Sequence, residues 1–457
     1  MPSMLEFTSL VRQPEGKTLE FKRDLSSPDG AIRTVIAFAN TSGGTLVIGV
    51  DDVSRSVTGV DDPLGVEERL ANLVSDRIAP TLIPDIEIIP WRKTHVIIVH
   101  VYPSPTRPHH LRTLGPDEGV FVRVGSTNRR ADAALIEEIR RYARNESFDE
   151  QPMPELDPEA IDFRAASESF AELRRLTQKD LDTLRITTRH QGRRVPTVGG
   201  VLLFGRERSR FFPDAWIQAG RFLGSERSRI LDTLEIRSLL PQAVEDGLAF
   251  VQRSVAREAV VTGARRAERW TYPLVAVREA LVNAVVHADY SQQGAPIRIS
   301  IFDDRMEVEN PGLLPFGLTV EEIQGGISKL RNRVIGRVFH ELRLIEQWGS
   351  GIQRMIGACA EAGLEPPRFE EVGTHFRVTL LATPRRPMEL DELDERILGL
   401  LRDTDGMTTG QIAQRIQRSP RATRSRLASL VGRGLLVELG SGPNDPKRRY
   451  LPVGTKP

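Results

Sequence analysis

The sequence predicts a mixed α/β (α+β) fold in several domains. At 457 residues, 39% hydrophobic and 27% charged, the chain is long enough for about three ordinary hydrophobic cores. Strand-like runs such as TLVIGV and THVIIVHVY alternate with helix-like runs such as ALIEEIRRYAR. Two stretches rich in proline and charge, NESFDEQPMPELDPEA and TPRRPMELDE, interrupt this alternation. We therefore expect domains at residues 1–147, 266–384 and 390–457, with a linker and connector region at 148–265.

Residues 148–265 have a second interpretation, as the first part of the domain that follows. Most of this region has helical spacing of its apolar residues, but TVGGVLLFGRE (residues 197–207) and AWIQAGRFLG contain glycines at their borders. We predict a strand in each of these two runs.

Composition and charge exclude several classes of protein. The single cysteine, Cys359, excludes an internal disulfide bond or a cysteine-rich zinc site and is typical of a reducing compartment. Because the net charge is +1, attraction to nucleic acid must come from local basic patches. The sequence has no cationic, apolar leader and no apolar run of about 18 residues, so it predicts a cytoplasmic protein without membrane contact.

The run REALVNAVVHADY, residues 278–290, places polar groups at helical spacing in an apolar segment. Glu279, Asn283 and His287 are four residues apart and therefore share one face of a helix. A polar stripe that meets water would also explain this pattern. Downstream, a Gly-Ser-Gly run at residues 349–351 precedes a predicted helix, where backbone N–H groups can approach an anion. The order of these segments favours a phosphate site.

That order resembles the GHKL ATPase family, the α/β sandwich shared by gyrase, histidine kinases and mismatch-repair ATPases. The resemblance covers residues 271–382 and is to a divergent branch often described as transcriptional regulators or as helicase-related, although we see no helicase motor. It implies a candidate ATPase in which Glu279 acts on the attacking water and Asn283 holds Mg²⁺. Asn310 stands where relatives have the aspartate that reads adenine. The implied ATP-binding residues are Glu279, Asn283, His287, Asn310, Gly312, Gly349, Ser350 and Gly351.

The amino-terminal segment contains EGKTLEFKRDL followed by AFANTSGGTLVIGVDD. Surface charge beside an ordinary helix-to-strand connection would explain these runs. Their combination closely resembles the Schlafen/AlbA-type domain, over about residues 10–145. Gly16-Lys17-Thr18 only mimics the end of a P-loop, because Val11 stands where that loop requires a glycine.

Some Schlafen proteins cut RNA at a site of three carboxylates, whereas other relatives are described only as nucleic-acid binders. The resemblance implies that Glu15, Glu20 and Asp52 are the matching catalytic and metal-binding residues, with Asp51 as the alternative third member. Carboxylates suit Mg²⁺ or Mn²⁺, which can stabilise an in-line displacement at phosphorus. The candidate nucleic-acid contacts in this segment are Lys22, Arg107, Arg123, Arg129 and Arg130.

The last block, residues 390–457, predicts three helices and a β-wing. Thr408 or Thr409 caps the second helix and Ser419-Pro420 opens the third. Nine Lys or Arg and two acids lie between Arg415 and Arg449. The pattern resembles winged-helix DNA-binding domains, which place a helix in the major groove, although such folds also serve in docking or dimerisation. The candidate DNA contacts are Arg421, Arg424, Arg426, Lys447, Arg448 and Arg449.

Together these patterns predict an ATP-responsive, nucleic-acid-binding regulator of transcription that forms a homodimer. DNA is the expected target, with RNA as the alternative. The rival hypothesis is a Schlafen-like, metal-dependent nuclease gated by ATP and directed against foreign nucleic acid. A third hypothesis is a degenerate ATPase that acts only as a scaffold.

Overall fold

The computed structural model describes residues 4–255, 257–262, 265–345, 349–382, 391–401, 404, 406–432, 435–439 and 448–452. The chain divides into two compact units: a large unit, Pro14–Arg385, and a small unit formed by Met1–Gln13 with Arg386–Pro457. The α/β multidomain fold class is confirmed, while the division into four domains stays a prediction. Among the described residues, no helix has the length and apolar character needed to cross a membrane.

The first stretch of the chain contains a small sheet and several helices. Its elements are α1 (Met4–Arg12), β1 (Leu19–Lys22), α2 (Pro28–Asn40), β2 (Gly44–Ile48), α3 (Pro63–Arg77), β3 (Ile78–Ala79), β4 (Asp85–Trp91), β5 (Thr94–Val101), β6 (His110–Leu111), α4 (Gly115–Glu118), β7 (Phe121–Val124), β8 (Thr127–Arg130) and α5 (Ala133–Ala143).

We call residues 14–147 the amino-terminal region. Its main sheet has the order β1-β2-β5-β4, in which β1 and β2 are parallel and the other neighbours are antiparallel. The buried face of α2, which includes Ile32, Val35 and Phe38, packs in one core with Leu46 of β2 and Val99 of β5. Strands β7 and β8 form a separate hairpin that packs beside α2.

The next stretch, residues 148–270, is largely made of regular elements. They are two 3₁₀ turns (Phe148–Glu150 and Pro158–Ala160), α6 (Phe163–Phe170), α7 (Gln178–Thr183), β9 (Thr187–His190), β10 (Arg193–Pro196), α8 (Val198–Phe204), α9 (Arg208–Phe211), β11 (Ile217–Phe222), β12 (Ile230–Ile236), α10 (Leu240–Ser254), β13 (Arg257–Thr262) and β14 (Arg265–Trp270).

A third stretch completes the large unit. It contains α11 (Leu274–His287), β15 (Ile297–Ile301), β16 (Arg305–Pro311), α12 (Val320–Gln324), α13 (Arg333–Glu341), α14 (Gly351–Glu361), β17 (Arg368–Val372) and β18 (His375–Leu381).

We call residues 148–382 the central region, because both of these stretches share one core. Its sheet has the order β12-β11-β15-β16-β18-β17, with β11 parallel to β15 and all other neighbours antiparallel. Helices α10 and α11 pack on one face of the sheet, and α14 packs against α11. Residues 148–265, which the sequence analysis sets apart as a linker and connector, therefore supply two strands and several helices to this core.

The segment 197–207, for which we predict a strand, contains helix α8 instead, so that prediction was wrong. Every residue of α8 is buried, and a short apolar run carries no period that separates strand from helix. Thr197 begins the helix: its side chain accepts a hydrogen bond from the Gly200 N–H. The predicted strand at AWIQAGRFLG corresponds to β11.

Asp149, at the start of the central region, is buried and connects it to helix α13. Its carboxylate accepts the backbone N–H groups of Arg333, Val334 and Ile335, at 2.7 to 2.9 Å, and so satisfies the first turn of α13. Burial raises the pKa of Asp149 to about 6, against the effect of these hydrogen bonds.

The small unit has the predicted order of three helices and a β-wing. Thr408 caps the second helix in a capping box with Gln411. The unit also includes α1, whose Arg12 Nη1 lies 3.0 Å from Glu438 Oε1. Its carboxy-terminal elements are α15 (Glu392–Leu401), β19 (Met407–Thr408), α16 (Thr409–Ile416), α17 (Pro420–Gly432), β20 (Leu436–Leu439) and β21 (Arg449–Pro452), with the sheet order β19-β21-β20.

Candidate functional site

The polar face of α11 lies along a cleft in the central region, which we call the central cleft. Glu279, Asn283 and His287 all line it, as their four-residue spacing requires. Most other residues of α11 are apolar and buried in the core, the exceptions including the exposed Val275 and the partly exposed Arg278, and this burial fixes the direction of the polar face. Apolar side chains from other segments also line the cleft, and we call them the apolar wall: Leu313, Leu314, Pro315, Leu318, Ile323, Ile352, Phe369 and Phe376.

The start of α14 lies directly against the acid and the amide of α11. A Cβ on Gly351 would lie 2.5 Å from Glu279 Oε2 and 3.7 Å from Asn283 Nδ2, so only glycine fits there without displacing the carboxylate. Glu279 is buried, and its Oε1 accepts a hydrogen bond from Arg354 Nη2 at 2.9 Å. The structure therefore brings together the helical Glu-Asn pair and the Gly-Ser-Gly turn.

Asn283 and His287 differ in the interactions that they offer to a ligand. Asn283 is partly buried, and its amide has no hydrogen-bond partner among the described residues. Burial, with a smaller contribution from the positive charge of Arg331, lowers the pKa of His287 to about 4. His287 is therefore neutral near pH 7 and offers a hydrogen bond, not a charge.

The other predicted ATP-binding residues divide into two groups. Asn310 and Gly349 line the cleft, and Asn310 Nδ2 donates to the Pro311 carbonyl at 3.0 Å. Gly312 and Ser350 lie beside the cleft without lining it. Gly312 has a φ of +99°, which favours glycine in the turn after β16.

Two cationic residues of the cleft were missed in the sequence analysis. Lys329 and Arg354 both line it, and Lys329 Nζ lies 3.1 Å from the Tyr142 hydroxyl. A signal for Arg354 was present, because it lies one helical turn after the Gly-Ser-Gly run. No comparable spacing marks Lys329 or the apolar wall, whose members come from separate segments.

The three amino-terminal carboxylates do not form a metal site. Glu20 is buried and paired with two cations, Lys22 Nζ and Arg123 Nη2, each at 2.6 Å. Glu15 Oε1 accepts a backbone hydrogen bond from Phe21 at 2.8 Å, and Asp52 is exposed. Across the described ranges, no three His, Cys, Asp or Glu side chains converge as metal ligands. The predicted Glu15, Glu20 and Asp52 site is therefore not assembled.

Asp51, the alternative third carboxylate, is used in a turn. Its Oδ1 accepts hydrogen bonds from the Ser54 N–H and hydroxyl, both at 2.8 Å. These bonds hold the pKa of Asp51 below its usual range, so the group stays ionised.

Two of the predicted amino-terminal nucleic-acid contacts were wrong. Arg123 is fully buried, and Arg107 is 8% exposed and donates to backbone carbonyls, among them that of Ser104 at 2.6 Å. Lys22 is committed to Glu20. Arg129 and Arg130 are exposed on β8 and remain candidates, although Arg130 also lies 3.2 Å from the Glu118 carboxylate.

In the small unit, Arg426 and Arg448 form ion pairs with acidic residues. Arg426 on α17 pairs with Asp391 and, at 2.7 Å, with Asp394 of α15. Arg448 Nη1 lies 2.9 Å from Glu438 Oε2 on β20. Their guanidinium groups already neutralise these acids, and the assignment of both residues as DNA contacts stays a prediction.

The other described candidates for DNA contact in the small unit are exposed to solvent. Arg421 and Arg424 are exposed on α17, and Arg449 is exposed on β21. Lys447 lies outside the described residues.

Comparisons with known families match three segments of the chain. The matching family models are described as "Schlafen, AlbA_2" over residues 15–132, "Putative ATP-dependent DNA helicase recG C-terminal" (HATPase_c_4) over 294–380, and "Winged helix-turn-helix DNA-binding" over 390–437. The predicted resemblance to a Schlafen/AlbA-type domain, an ATPase-like domain and a winged helix is confirmed. The Schlafen-type and winged-helix segments support binding of nucleic acid.

Several solved structures are similar to the chain, including the two that follow, whereas no curated protein matches it. The crystal structure of the DIP2311 protein from Corynebacterium diphtheriae is 21% identical and has a TM-score of 0.43, covering 98% of this chain and 96% of that one. The solution structure of the amino-terminal domain of a RecG-related protein from Nitrosomonas europaea is 26% identical, with a TM-score of 0.24. It covers 29% of this chain and 94% of that one.

Proposed function

We propose that the protein is a nucleic-acid-binding regulator of transcription whose central cleft binds ATP with Mg²⁺. The observation that carries this proposal is the close approach of Gly351 to Glu279 and Asn283, which leaves no free space for a Cβ at this position. It places the first turn of α14, a position at which backbone N–H groups favour anions, beside the Asn283 amide, which has no hydrogen-bond partner among the described residues.

The residues of the cleft fit a nucleotide chemically. The apolar wall suits the base, and Lys329 and Arg354 supply positive charge for phosphates. Asn283 would hold Mg²⁺ through its side-chain oxygen, and the ion would neutralise phosphate charge. Asn310, which lines the same cleft, is the candidate for reading the base.

Glu279 is the candidate for acting on a water molecule if ATP is hydrolysed. Its carboxylate is paired with Arg354, so hydrolysis would require Arg354 to move toward the phosphates. Binding without turnover needs no such rearrangement.

The test is isothermal titration of the full chain with ATP and MgCl₂. We expect binding by the natural protein and a loss of roughly tenfold or more, about 1.4 kcal/mol, in Asn283→Ala. Asn72→Ala, an exposed asparagine on α3, is the matched control and should bind as the natural protein does. Equal affinity in Asn283→Ala, or no binding by the natural protein, would reject the proposal.

The nuclease alternative has less support. Glu20 carries two cationic partners in place of a metal, and the described carboxylates do not converge. We therefore propose that the amino-terminal region binds nucleic acid without cutting it. Formation of a homodimer is part of the same proposal, since a dimer would let two winged helices read a palindrome.

A further inference from the structure

One wall of the central cleft is formed by residues 313–318, which we call the cleft loop. Leu313, Leu314, Pro315 and Leu318 line the cleft. The loop follows β16, but its principal attachments run to the amino-terminal region. These attachments occur at four points along its length.

A buried ion pair secures the start of the loop. The Leu314 N–H donates to Glu371 Oε1 at 2.9 Å, and the same oxygen lies 2.7 Å from Lys17 Nζ. The Lys17 and Glu371 side chains are only 16% and 8% exposed, so water screens this pair poorly. Lys17 thus fixes the carboxylate that orients the Leu314 amide.

A second attachment passes through Arg331. The Leu313 carbonyl accepts a hydrogen bond from Arg331 Nη2, and Arg331 Nη1 lies 2.6 Å from Glu138 Oε1 on α5. Arg331 is therefore held between the loop and the amino-terminal region.

Phe316, in the middle of the loop, packs in a hydrophobic cluster of the amino-terminal region. Phe316 is buried among Val120, Val122, Ile136 and Ile139. Its ring packs edge-on against that of Tyr142, with 5.6 Å between the ring centroids. Such aromatic contacts favour one ring orientation.

The end of the loop is attached through a hydrogen bond. The Leu318 carbonyl accepts from the Ser42 hydroxyl, in the turn between α2 and β2, at 3.0 Å. A ligand that touches the cleft side of the loop therefore acts on residues whose other contacts lie in the amino-terminal region.

Strand β7, which packs in the same cluster as Phe316, is paired with the strand that carries the exposed arginines of the amino-terminal region. Val122 lies on β7, and in the β7–β8 ladder it is paired with Arg129, while Phe121 is paired with Arg130. A shift of Phe316 would thus move the strand that positions both candidate nucleic-acid contacts.

We infer that the cleft loop couples the central cleft to the amino-terminal region, with Lys17 and Phe316 as its positioning residues. The inference rests on the proposed binding of ATP. A nucleotide in the cleft then changes the affinity of the β7–β8 hairpin for nucleic acid, and nucleic acid changes the affinity for nucleotide by the same factor.

The test is hydrogen exchange of the full chain with and without a non-hydrolysable ATP analogue and Mg²⁺, with each variant saturated according to its own titration. In the natural protein, we expect the analogue to change exchange of residues 121–130 roughly fivefold or more, the lower end of ordinary coupling between sites. Lys17→Met and Phe316→Leu should bind the analogue but lose this response. Lys17→Arg, which keeps the charge, and Lys93→Met, which changes an exposed lysine, should retain it.

The two proposals fail in distinguishable ways. If the natural protein does not bind the analogue, the proposed function fails and the coupling fails with it. If the natural protein binds it but residues 121–130 do not respond, or if Lys17→Met and Phe316→Leu respond fully, the coupling is wrong while nucleotide binding stands.

Discussion

Helix α11 and strand β1 both carry carboxylates for which the sequence predicts chemistry, but the structure gives them different surroundings. Glu279 on α11 lines a cleft beside Asn283, whose amide has no partner in the described part of the chain. Glu20 on β1 is held between Lys22 and Arg123, both at 2.6 Å. Glu279 therefore lies in a cleft that we propose as a ligand site, whereas Glu20 already has two counterions.

The comparison teaches that a motif residue must be judged by the charges that fold against it. A metal ion needs carboxylate oxygens that are free to coordinate, whereas two short ion pairs already neutralise Glu20. Glu279 also has a cationic partner, Arg354, but that arginine lines the same cleft and is able to meet an incoming anion. The following predictions test this difference, beginning with the largest expected effect.

Replacing Arg123 by methionine should destabilise the amino-terminal region strongly. The change would remove one of the two cations of buried Glu20 and the donor to the Gly16 and Leu19 carbonyls, at a cost of about 3 kcal/mol in total. Urea unfolding measures the loss, with Arg129→Met as a control on an exposed residue of the adjoining strand. Unchanged stability in Arg123→Met would show that Glu20 does not depend on this counterion.

Replacing Gly351 by alanine should remove most of the nucleotide affinity. Its Cβ would lie 2.5 Å from Glu279 Oε2, so the carboxylate must shift within the cleft, and we expect a loss of roughly tenfold in affinity, about 1.4 kcal/mol. Titration with ATP and MgCl₂ gives the measurement. Gly357→Ala, on the same helix but with nothing within 4 Å of the added methyl group, should bind normally. Equal effects of the two substitutions would contradict a specific contact at Gly351.

The sequence predicts the parts of the fold that depend on local pattern. The α11 face and the Thr408 cap follow from spacing and capping residues that are close together in the chain. Helix α8 does not, because its residues are all buried and the run lacks a polar face.

The candidate site divides in the same way. Glu279 and Asn283 could be assigned because one helical turn separates them. The fate of Glu20 depends on Arg123, which is 103 residues away in the sequence, and no spacing rule reveals such a pair. The burial of Arg107 is equally a product of tertiary packing.

A smaller effect is expected when the exposed arginines of α17 are removed. Arg421→Ala with Arg424→Ala should weaken binding of a labelled DNA duplex about tenfold and reduce the salt dependence by about two phosphate contacts. Arg426→Met should instead lower the free energy of unfolding, because Arg426 pairs with Asp394. Fluorescence anisotropy over a salt series measures the DNA affinity of each variant, and urea unfolding measures its stability. A salt slope that is unchanged in the double variant would exclude α17 as the DNA-binding helix.

The smallest effect at neutral pH is expected from His287. Its pKa is about 4 in the folded protein and ordinarily 6.5, so the unfolded chain takes up the proton first. The free energy of unfolding should therefore fall as the pH drops from about 6.5 toward 4, and be independent of this group above pH 7. His287→Gln, which cannot titrate, should lose this part of the pH dependence in urea unfolding at several pH values. If the natural protein and the variant lose stability in parallel between pH 6.5 and 4, the imidazole does not sit in a site that opposes its charge.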